Sequence, residues 1–313
     1  MRDIQKAEDP QIAAIVAVIA QVAPDVLVLT DFDYDLDARA LSAFARMTGY
    51  DHWFASQPNS GLPTGLDMDG DGYLGDGSDA QGFGRFSGDG GMAVVSKLPI
   101  GKVADYSATL WADLDGAIWP MTENGPFPSV AAFAIQRLSS TGHWTIQIDP
   151  QGVTPFEIIA FSATPPVFDG PEDQNGLRNR DELRLARAMM EDTKGMFFVV
   201  GNANLDSVDG QGFPDAMAEV LADPRLQDPM PASAGGLIAM NPDHNGNPAL
   251  DTADWPDDGP GNLRVSYVLP SKEWDVTDAG VFWPAPEDPL ASLLGGDGQA
   301  AGPHRLVWVD VAR

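Results

Sequence analysis

The run Val26-Leu-Val-Leu29 narrows the folds open to this chain more than any other feature. It is short, continuously apolar and set between two helical patterns, PQIAAIVAVIAQV from Pro10 and a second from Asp37 to Thr48. A continuous apolar run of strand length reads as a strand covered on both faces, not as one that turns a face to water. Asp9 stands where it caps the first helix, with Pro10 at the first helical position. Helix, doubly covered strand, helix implies a layered α/β fold and excludes an all-β one.

The rest of the chain continues this alternation. Strand-like runs occur at Met92 to Ser96, Phe133 to Leu138, His143 to Ile148, Phe156 to Phe161 and Met196 to Val200, and again at Leu263 to Leu269 and Leu306 to Val309. Helical patterns cover Asp181 to Glu191 and Asp215 to Ala222, and Pro229 to Asn262 reads as a loop. With no linker between these elements, residues 1–313 read as a single domain, carrying a long Asp/Gly-rich insertion loop at about 56–91.

Charge enters the argument at the choice of partner. Eighteen Lys plus Arg against forty-six Asp plus Glu leave −28, and thirty-seven of the acids are Asp. A polyphosphate backbone is held by cations that displace its counterions, so this balance argues against nucleic acid. Only 20% of residues are charged and 43% are apolar, which is the composition of a chain with a core. Zero Cys excludes disulfides, thiolate catalysis and cysteine zinc sites. The apolar stretch Ile12 to Ala23 is too short for a bilayer and lacks the flanks of a signal peptide, so the reading is no membrane span and no signal peptide in this chain.

Inside the long loop, Asp67-Met-Asp69-Gly-Asp71-Gly72-Tyr73 places three carboxylates at alternate positions before a Gly. Oxygen ligands at positions 1, 3 and 5, Gly at 6 and a backbone carbonyl at 7 are how calcium loops wrap one ion. Position 12 is Ser78 in place of a bidentate Glu, so Asp76 or Asp79 would have to complete the set. Three neighbouring carboxylates repel one another without a cation, which favours Ca²⁺ over a plain solvated turn.

Several segments, in order, resemble the endonuclease/exonuclease/phosphatase superfamily of metal-dependent phosphoesterases: PDVLVLTDFDYD, GGMAVVSKLPI, AFSATPPVFDGPEDQNGLRNRDE, GNANLD, LRVSYVLPS and PHRLVWVD. The resemblance spans residues 24–310 and is closest to an exported bacterial branch that also carries an Asp-rich loop and an ALDTADWP segment, here Ala249 to Pro256. It implies a four-layer α/β/β/α sandwich lacking the usual first strand, and a secreted or periplasmic location.

The resemblance also implies a site, and this chain departs from it at most positions. The strand-end acid, usually Glu, falls at Asp31 or Asp33. The catalytic His falls at Ser162, the Asp of the Gly-Asp-x-Asn motif at Asn202, and the acid before Tyr-Val-Leu-Pro-Ser at Ser266. Asn204 and His304 are retained, while the Asp that would orient His304 falls at Pro303. Loss of one such group costs orders of magnitude in rate. The expectation is therefore a catalytically degenerate phosphoesterase scaffold stabilised by Ca²⁺, with Asp31, Asn204 and His304 as its remnant site and a small phosphate ester or other ligand as partner. The alternative is an active phosphodiesterase or phosphatase that uses Mg²⁺ or Mn²⁺ at the surviving residues. A structural reading also stays open for His304, as a hydrogen-bonded residue at a strand start, and for Asn204, as a turn residue.

Overall fold

Alternate residues of the strand Met92–Ser96 (β3) face opposite ways, and both sides are buried. In the computed structural model, which describes residues 2–6 and 8–312, Met92 and Val94 pack towards Trp144, Ile146, Ile158 and Ala160 of a second sheet. Ala93 and Val95 pack the other way, against helix residues Ile19, Leu41 and Phe44. That alternation defines two layers, a helical layer and a sheet, with a second sheet beneath.

In the first sheet, β1 (Val26–Thr30), β3 and β2 (His52–Phe54) lie in the order β1-β3-β2, and all pairs are antiparallel. The second sheet has five strands, β12-β9-β8-β7-β4. They are β4 (Ile100–Asp105), β7 (Gly142–Ile148), β8 (Phe156–Ser162), β9 (Phe197–Asn202) and β12 (Ser266–Pro270), with β8 and β9 parallel. Among the described residues three two-stranded ladders remain: β5 (Met121–Thr122) with β6 (Gly125–Pro126), β10 (Ala253–Asp254) with β11 (Asn262–Leu263), and β13 (Asp275–Val281) with β14 (Val307–Ala312).

After a short α1 (Arg2–Lys6), helices α2 (Pro10–Val22) and α3 (Arg39–Thr48) cover the first sheet. On the outer face of the second sheet lie α4 (Val130–Ile135), α5 (Gln174–Asp192) and α6 (Pro214–Leu221), packed on Ile159, Phe161, Phe197 and Val199. A one-turn α7 (Ala234–Ile238) lies further on. The arrangement is the four-layer α/β/β/α sandwich that the sequence led us to expect. Among the described residues no helix is long and apolar enough to cross a membrane.

Local chemistry explains where expectation and structure part. Asp9 caps α2, its Oδ1 accepting from the amides of Gln11 and Ile12 at 2.9 and 3.1 Å. The second helix starts at Arg39, not Asp37, because the Asp35 carboxylate accepts from the amides of Arg39 and Ala40 at 2.6 and 2.9 Å. The first half of the expected strand at Phe133 to Leu138 is instead the end of helix α4. Ser129 Oγ accepts from Ala132 N at 3.1 Å and starts a helical turn before Phe133. Helix α5 begins at Gln174, seven residues earlier than expected. The segment 229–262, expected as loop, holds α7, a 3₁₀ turn (Pro248–Leu250) and β10.

The long loop contains neither helix nor strand, but it is anchored. Asn59 Nδ2 donates to the carbonyls of Ser107 and Ser139 at 2.6 and 2.8 Å, and Arg137 Nη1 donates to Asn59 Oδ1 at 2.8 Å. Arg178 of α5 donates to the carbonyl of Gln81 at 2.5 Å. Met68, Asp79 and Ala80 are buried.

Candidate functional site

Strand register decides which of the expected site residues meet. Ser162 stands opposite Asn202 across β8 and β9, and Ser266 stands opposite Asn202 across β9 and β12. Residues directly opposite share a face. Two residues back along β8 and β9, Ala160 and Val200 point into the space between the sheets, so the row Ser162, Asn202, Ser266 faces inward at one end of the sandwich. It lies at the carboxyl ends of the parallel strands, where ligand sites in α/β sheets gather.

Asn202 and Ser266 line a cavity of about 230 Å³ together with Thr30 and His304. Its remaining walls are largely apolar, from α2, β1, β9, β12 and the entry to β14. His304 is held to the site by backbone pairing with Ala253 and stands edge-on to Trp255, ring centroids 5.3 Å apart. Desolvation, and then the Arg305 cation, hold its pKa below the ordinary value, so the ring is neutral at pH 7.

Asp31 follows Thr30 with φ +57°, a left-handed conformation that Asp tolerates. Its pKa is raised, first by desolvation and then by the negative fields of Asp33 and Asp89. Asp33 Oδ1 accepts from Gly90 N at 3.2 Å. Asn204 also has positive φ, +49°, and its amide is committed locally. Its Nδ2 donates to the carbonyl of Ala163 at 2.8 Å, its Oδ1 accepts from Asn202 Nδ2 at 3.2 Å, and its backbone N donates to Asn202 Oδ1 at 3.1 Å. These bonds favour the turn-forming reading of Asn204.

The sequence offered no role for ALDTADWP, and the structure supplies one. Thr252 Oγ1 accepts from the amides of Val265 and Ser266, both at 2.9 Å, and its carbonyl accepts from Arg305 N at 2.8 Å. Asp254 N donates to the carbonyl of Pro303 at 3.0 Å. The segment thus fixes Ser266 and His304 on adjoining walls. Its first acid, Asp251, is buried with a pKa raised to about 7, by desolvation first and then by Asp206 and Asp209. Nothing local in the sequence distinguished Asp251 from the other aspartates. A second perturbed carboxylate, Glu182, is buried in α5 with its pKa raised to about 7 by desolvation, against which the Arg178 cation acts.

The expected calcium loop splits into two groups. Asp67, Asp69 and Asp71 each bring a carboxylate oxygen to within 4.8 Å of the others. Gly70 N and Gly72 N donate to Asp67 at 2.6 and 2.9 Å, and Gly72 has φ +85°, the left-handed turn that Gly adopts without strain. For Asp67, desolvation raises the pKa, but the amides of Gly72 and Gly70 outweigh it and the net shift is downward. For Asp69 the net shift is upward, from desolvation and then from Asp71 and Asp76. Such a set of hard, mutually repelling oxygens fits Ca²⁺. Asp79 does not join them: it is buried, and its two oxygens accept from Met68 N at 2.8 Å and Gly75 N at 2.5 Å. Asp76 accepts from Ser78 N at 2.8 Å, and the Tyr73 side chain is exposed.

At the sheet ends the donor set is different. Among the described residues, no three acidic or His side chains converge there as they do in the loop. The row offers neutral amide and hydroxyl groups, and the nearby acids Asp31, Asp33 and Asp89 do not converge as a ligand set, which is a poor fit to a tightly held Mg²⁺ or Mn²⁺.

A family model described as the Endonuclease/Exonuclease/phosphatase family matches residues 5–300. No curated protein matches the sequence. Among solved structures, an endonuclease/exonuclease/phosphatase from Beutenbergia cavernae DSM 12333 is similar with a TM-score of 0.56 and 16% identity, over 96% of this chain and 65% of that one. This chain therefore spans just under two thirds of that structure's length. A family protein from Leptotrichia buccalis C-1013-b is similar at a TM-score of 0.54 and 14% identity, over 99% and 94%. A 3' phosphatase from Neisseria, solved bound to a product DNA hairpin, gives 0.51 and 15%, over 95% and 92%. At these identities the likeness is one of fold.

Proposed function

The chain belongs to the endonuclease/exonuclease/phosphatase family, and from that premise we propose that it is a catalytically degenerate member, stabilised by Ca²⁺ in the 67–79 loop, whose remnant cleft binds a small phosphate ester or similar ligand. One observation carries this reading: the row Ser162, Asn202, Ser266 at the inner sheet ends is uncharged. Family chemistry, by resemblance, would place a His and two acids at those positions. A hydroxyl cannot stabilise developing negative charge as an imidazolium does, and neither amide nor hydroxyl is a base at pH 7. What the row can do is donate and accept hydrogen bonds, which suits binding.

The neutral His304 lines the same cavity as Asn202 and Ser266, and the Asp31 carboxyl follows Thr30 on its rim. Asp67, Asp69 and Asp71 would hold the Ca²⁺, which supplies charge neutralisation in the loop. The −28 charge supports a small ligand over nucleic acid, although a protein of the same fold has been solved with a DNA hairpin. A secreted or periplasmic setting, rich in Ca²⁺, accords with this reading.

A second reading, an active divalent-metal-dependent phosphodiesterase or phosphatase working through Asp31, Asp33, Asn204 and His304, is favoured by the like-charge field of Asp31, Asp33 and Asp89. A divalent cation would relieve that field. A panel of phosphomonoesters and phosphodiesters with Mg²⁺, Mn²⁺ or Ca²⁺ separates the two. The degenerate reading expects no turnover, and appearance of turnover when Ser162→His, Asn202→Asp and Ser266→Asp are combined. Turnover by the unaltered chain that His304→Ala abolishes would sink it.

A further inference from the structure

Asp251 is 8% exposed, and among the described residues its carboxylate accepts no hydrogen bond and meets no cation. A carboxylate taken out of water without a donor or a counter-charge is costly, and buried acids ordinarily have one or the other. What surrounds Asp251 makes the lack sharper.

Thr252 turns its hydroxyl to the amides of Val265 and Ser266. Asp251 precedes it in extended backbone, at φ −61° and ψ 138°, so its side chain takes the opposite direction, towards the loop that follows β9. There it meets the negative fields of Asp206 and then Asp209. Asp206 is 7% exposed. Its Oδ1 accepts from the amides of Val208 and Asp209 at 2.8 and 3.3 Å, and its Oδ2 from Arg264 N at 2.7 Å. Asp209 accepts from the amides of Asn245 and Gly246 at 2.9 and 2.7 Å. Backbone amides thus hold both carboxylates in place, and Asp206 Oδ2 and both Asp209 oxygens each keep a lone pair. The Arg264 guanidinium brings no relief, because it pairs with Asp228 through two bonds of 2.7 and 2.6 Å.

We propose that Asp251 and Asp206, with Asp209 beside them, hold a hard divalent cation, Ca²⁺ by preference, between the loop after β9 and the segment 245–251. The three carboxylates do not close to within 4.8 Å of one another as Asp67, Asp69 and Asp71 do, so they do not all touch one ion. Asp251, which has no other partner, and Asp206, whose field on it is the larger, are the direct ligands. Asp209 acts through a bound water, a role that calcium sites commonly give to one acid. Ca²⁺ accepts about six to eight oxygens in irregular geometry, whereas Mg²⁺ demands a near-ideal octahedron at shorter distances. Two fixed carboxylates completed by water suit the former.

The position gives the ion a task. Thr252, next to Asp251, carries the bonds that fix Ser266, and its carbonyl holds Arg305 N. A cation on Asp251 ties the loop after β9 to the segment that sets the walls of the cleft. The site stands whether or not the 67–79 loop binds Ca²⁺.

The test uses the full chain stripped by a chelator and titrated with Ca²⁺ by calorimetry, in the parent and in an Asp69→Ala background that disables the loop. Asp69→Ala should still bind one Ca²⁺, and adding Asp251→Asn, which keeps the side chain's shape, should weaken that binding at least about tenfold. Melting temperatures at pH 8 in the same background give a second readout. With chelator the Asp251→Asn chain should melt above its parent, since a repelling carboxylate is gone; with Ca²⁺ in excess the order should reverse. That chelator measurement also shows that the variant is folded. A parent that binds one ion, lost on Asp251→Asn and kept on Asp69→Ala, would remove Ca²⁺ from the loop and leave this site standing. No Ca²⁺ bound by Asp69→Ala, or binding that Asp251→Asn leaves unchanged, would overturn the proposal.

Discussion

Glu182 Oε1 accepts hydrogen bonds from both the backbone amide and the hydroxyl of Ser140, at 2.6 and 2.8 Å. Glu182 Oε2 accepts from Thr164 N at 2.7 Å, and Arg178, one turn away in α5, donates to the carbonyls of Leu138 and Arg137 at 2.9 and 2.8 Å. Helix α5 thereby holds the segment before β7 and the turn after β8. Glu182→Ala should destabilise the fold by about 3–5 kcal/mol in urea unfolding, because it strands the buried amide of Ser140 and the half-buried one of Thr164 and leaves Arg178 without a counter-charge. Glu182→Gln should cost less than the Ala variant, since one oxygen acceptor remains. Equal costs would show that the charge, not the acceptor, is what matters.

His143 lies in the same buried network, its Nδ1 2.8 Å from Ser139 Oγ and its Nε2 3.2 Å from the Glu182 carbonyl. Desolvation is the main cause that lowers its pKa from 6.5 to about 4. The folded state therefore binds this proton less readily than the unfolded state. Its contribution is complete above about 6.5 and is lost as pH falls towards 4, a total of about 3 kcal/mol. Urea midpoints measured between pH 7 and 4 should fall, and His143→Gln should flatten that slope. An unchanged slope in the variant would assign the acid sensitivity to other groups.

These two buried groups also mark the limit of what the sequence disclosed. The doubly covered strand β1 and the capped helix α2 were legible because the causes are local: an apolar run of strand length, and Asp9 before Pro10. The run Phe133 to Leu138 was not, since a short apolar stretch suits either helix or strand and the deciding signal was a single Ser129 cap. β13, DVTDAGV, escaped because five of its seven residues are exposed or half-buried and it needs β14 as a partner. At the site, motif order located Ser162, Asn202, Ser266 and His304, but their meeting depends on register between strands some forty to sixty residues apart. Asp251 drew no attention because its unusual environment is made by Asp206 and Asp209, which are distant in sequence.

Asp251 has a folded-state pKa of about 7 against an ordinary 3.8, from desolvation first and then from Asp206 and Asp209. Below about 3.8 the carboxyl is protonated in both states. As pH rises to about 7 the unfolded chain loses the proton and the folded chain keeps it, so stability from this group declines across that window. Asp251→Asn removes the decline, and at pH 8 the variant should be more stable than the parent by on the order of 2–4 kcal/mol. Thermal unfolding at pH 4 and pH 8 checks this: the gain must appear at pH 8 and largely vanish at pH 4.

In the 67–79 loop the proposed ligand role and a scaffold role fall on different aspartates. Asp69 lies in the carboxylate triad, its Oδ1 accepting a long bond from Asp71 N at 3.2 Å, and its carboxyl is crowded by Asp71 and Asp76. Without Ca²⁺, Asp69→Ala should leave the melting temperature unchanged or slightly higher, because it removes like-charge repulsion. With Ca²⁺ at about a hundred times its Kd, the parent should gain about 2.7 kcal/mol, a rise of several degrees, and Asp69→Ala should lose that gain. Asp79→Ala should behave differently. It frees Met68 N and Gly75 N inside the loop and should cost about 1–3 kcal/mol with or without the ion. A parent melting temperature indifferent to Ca²⁺ would remove the ion from the loop, while the Asp79 cost would remain as a property of the fold.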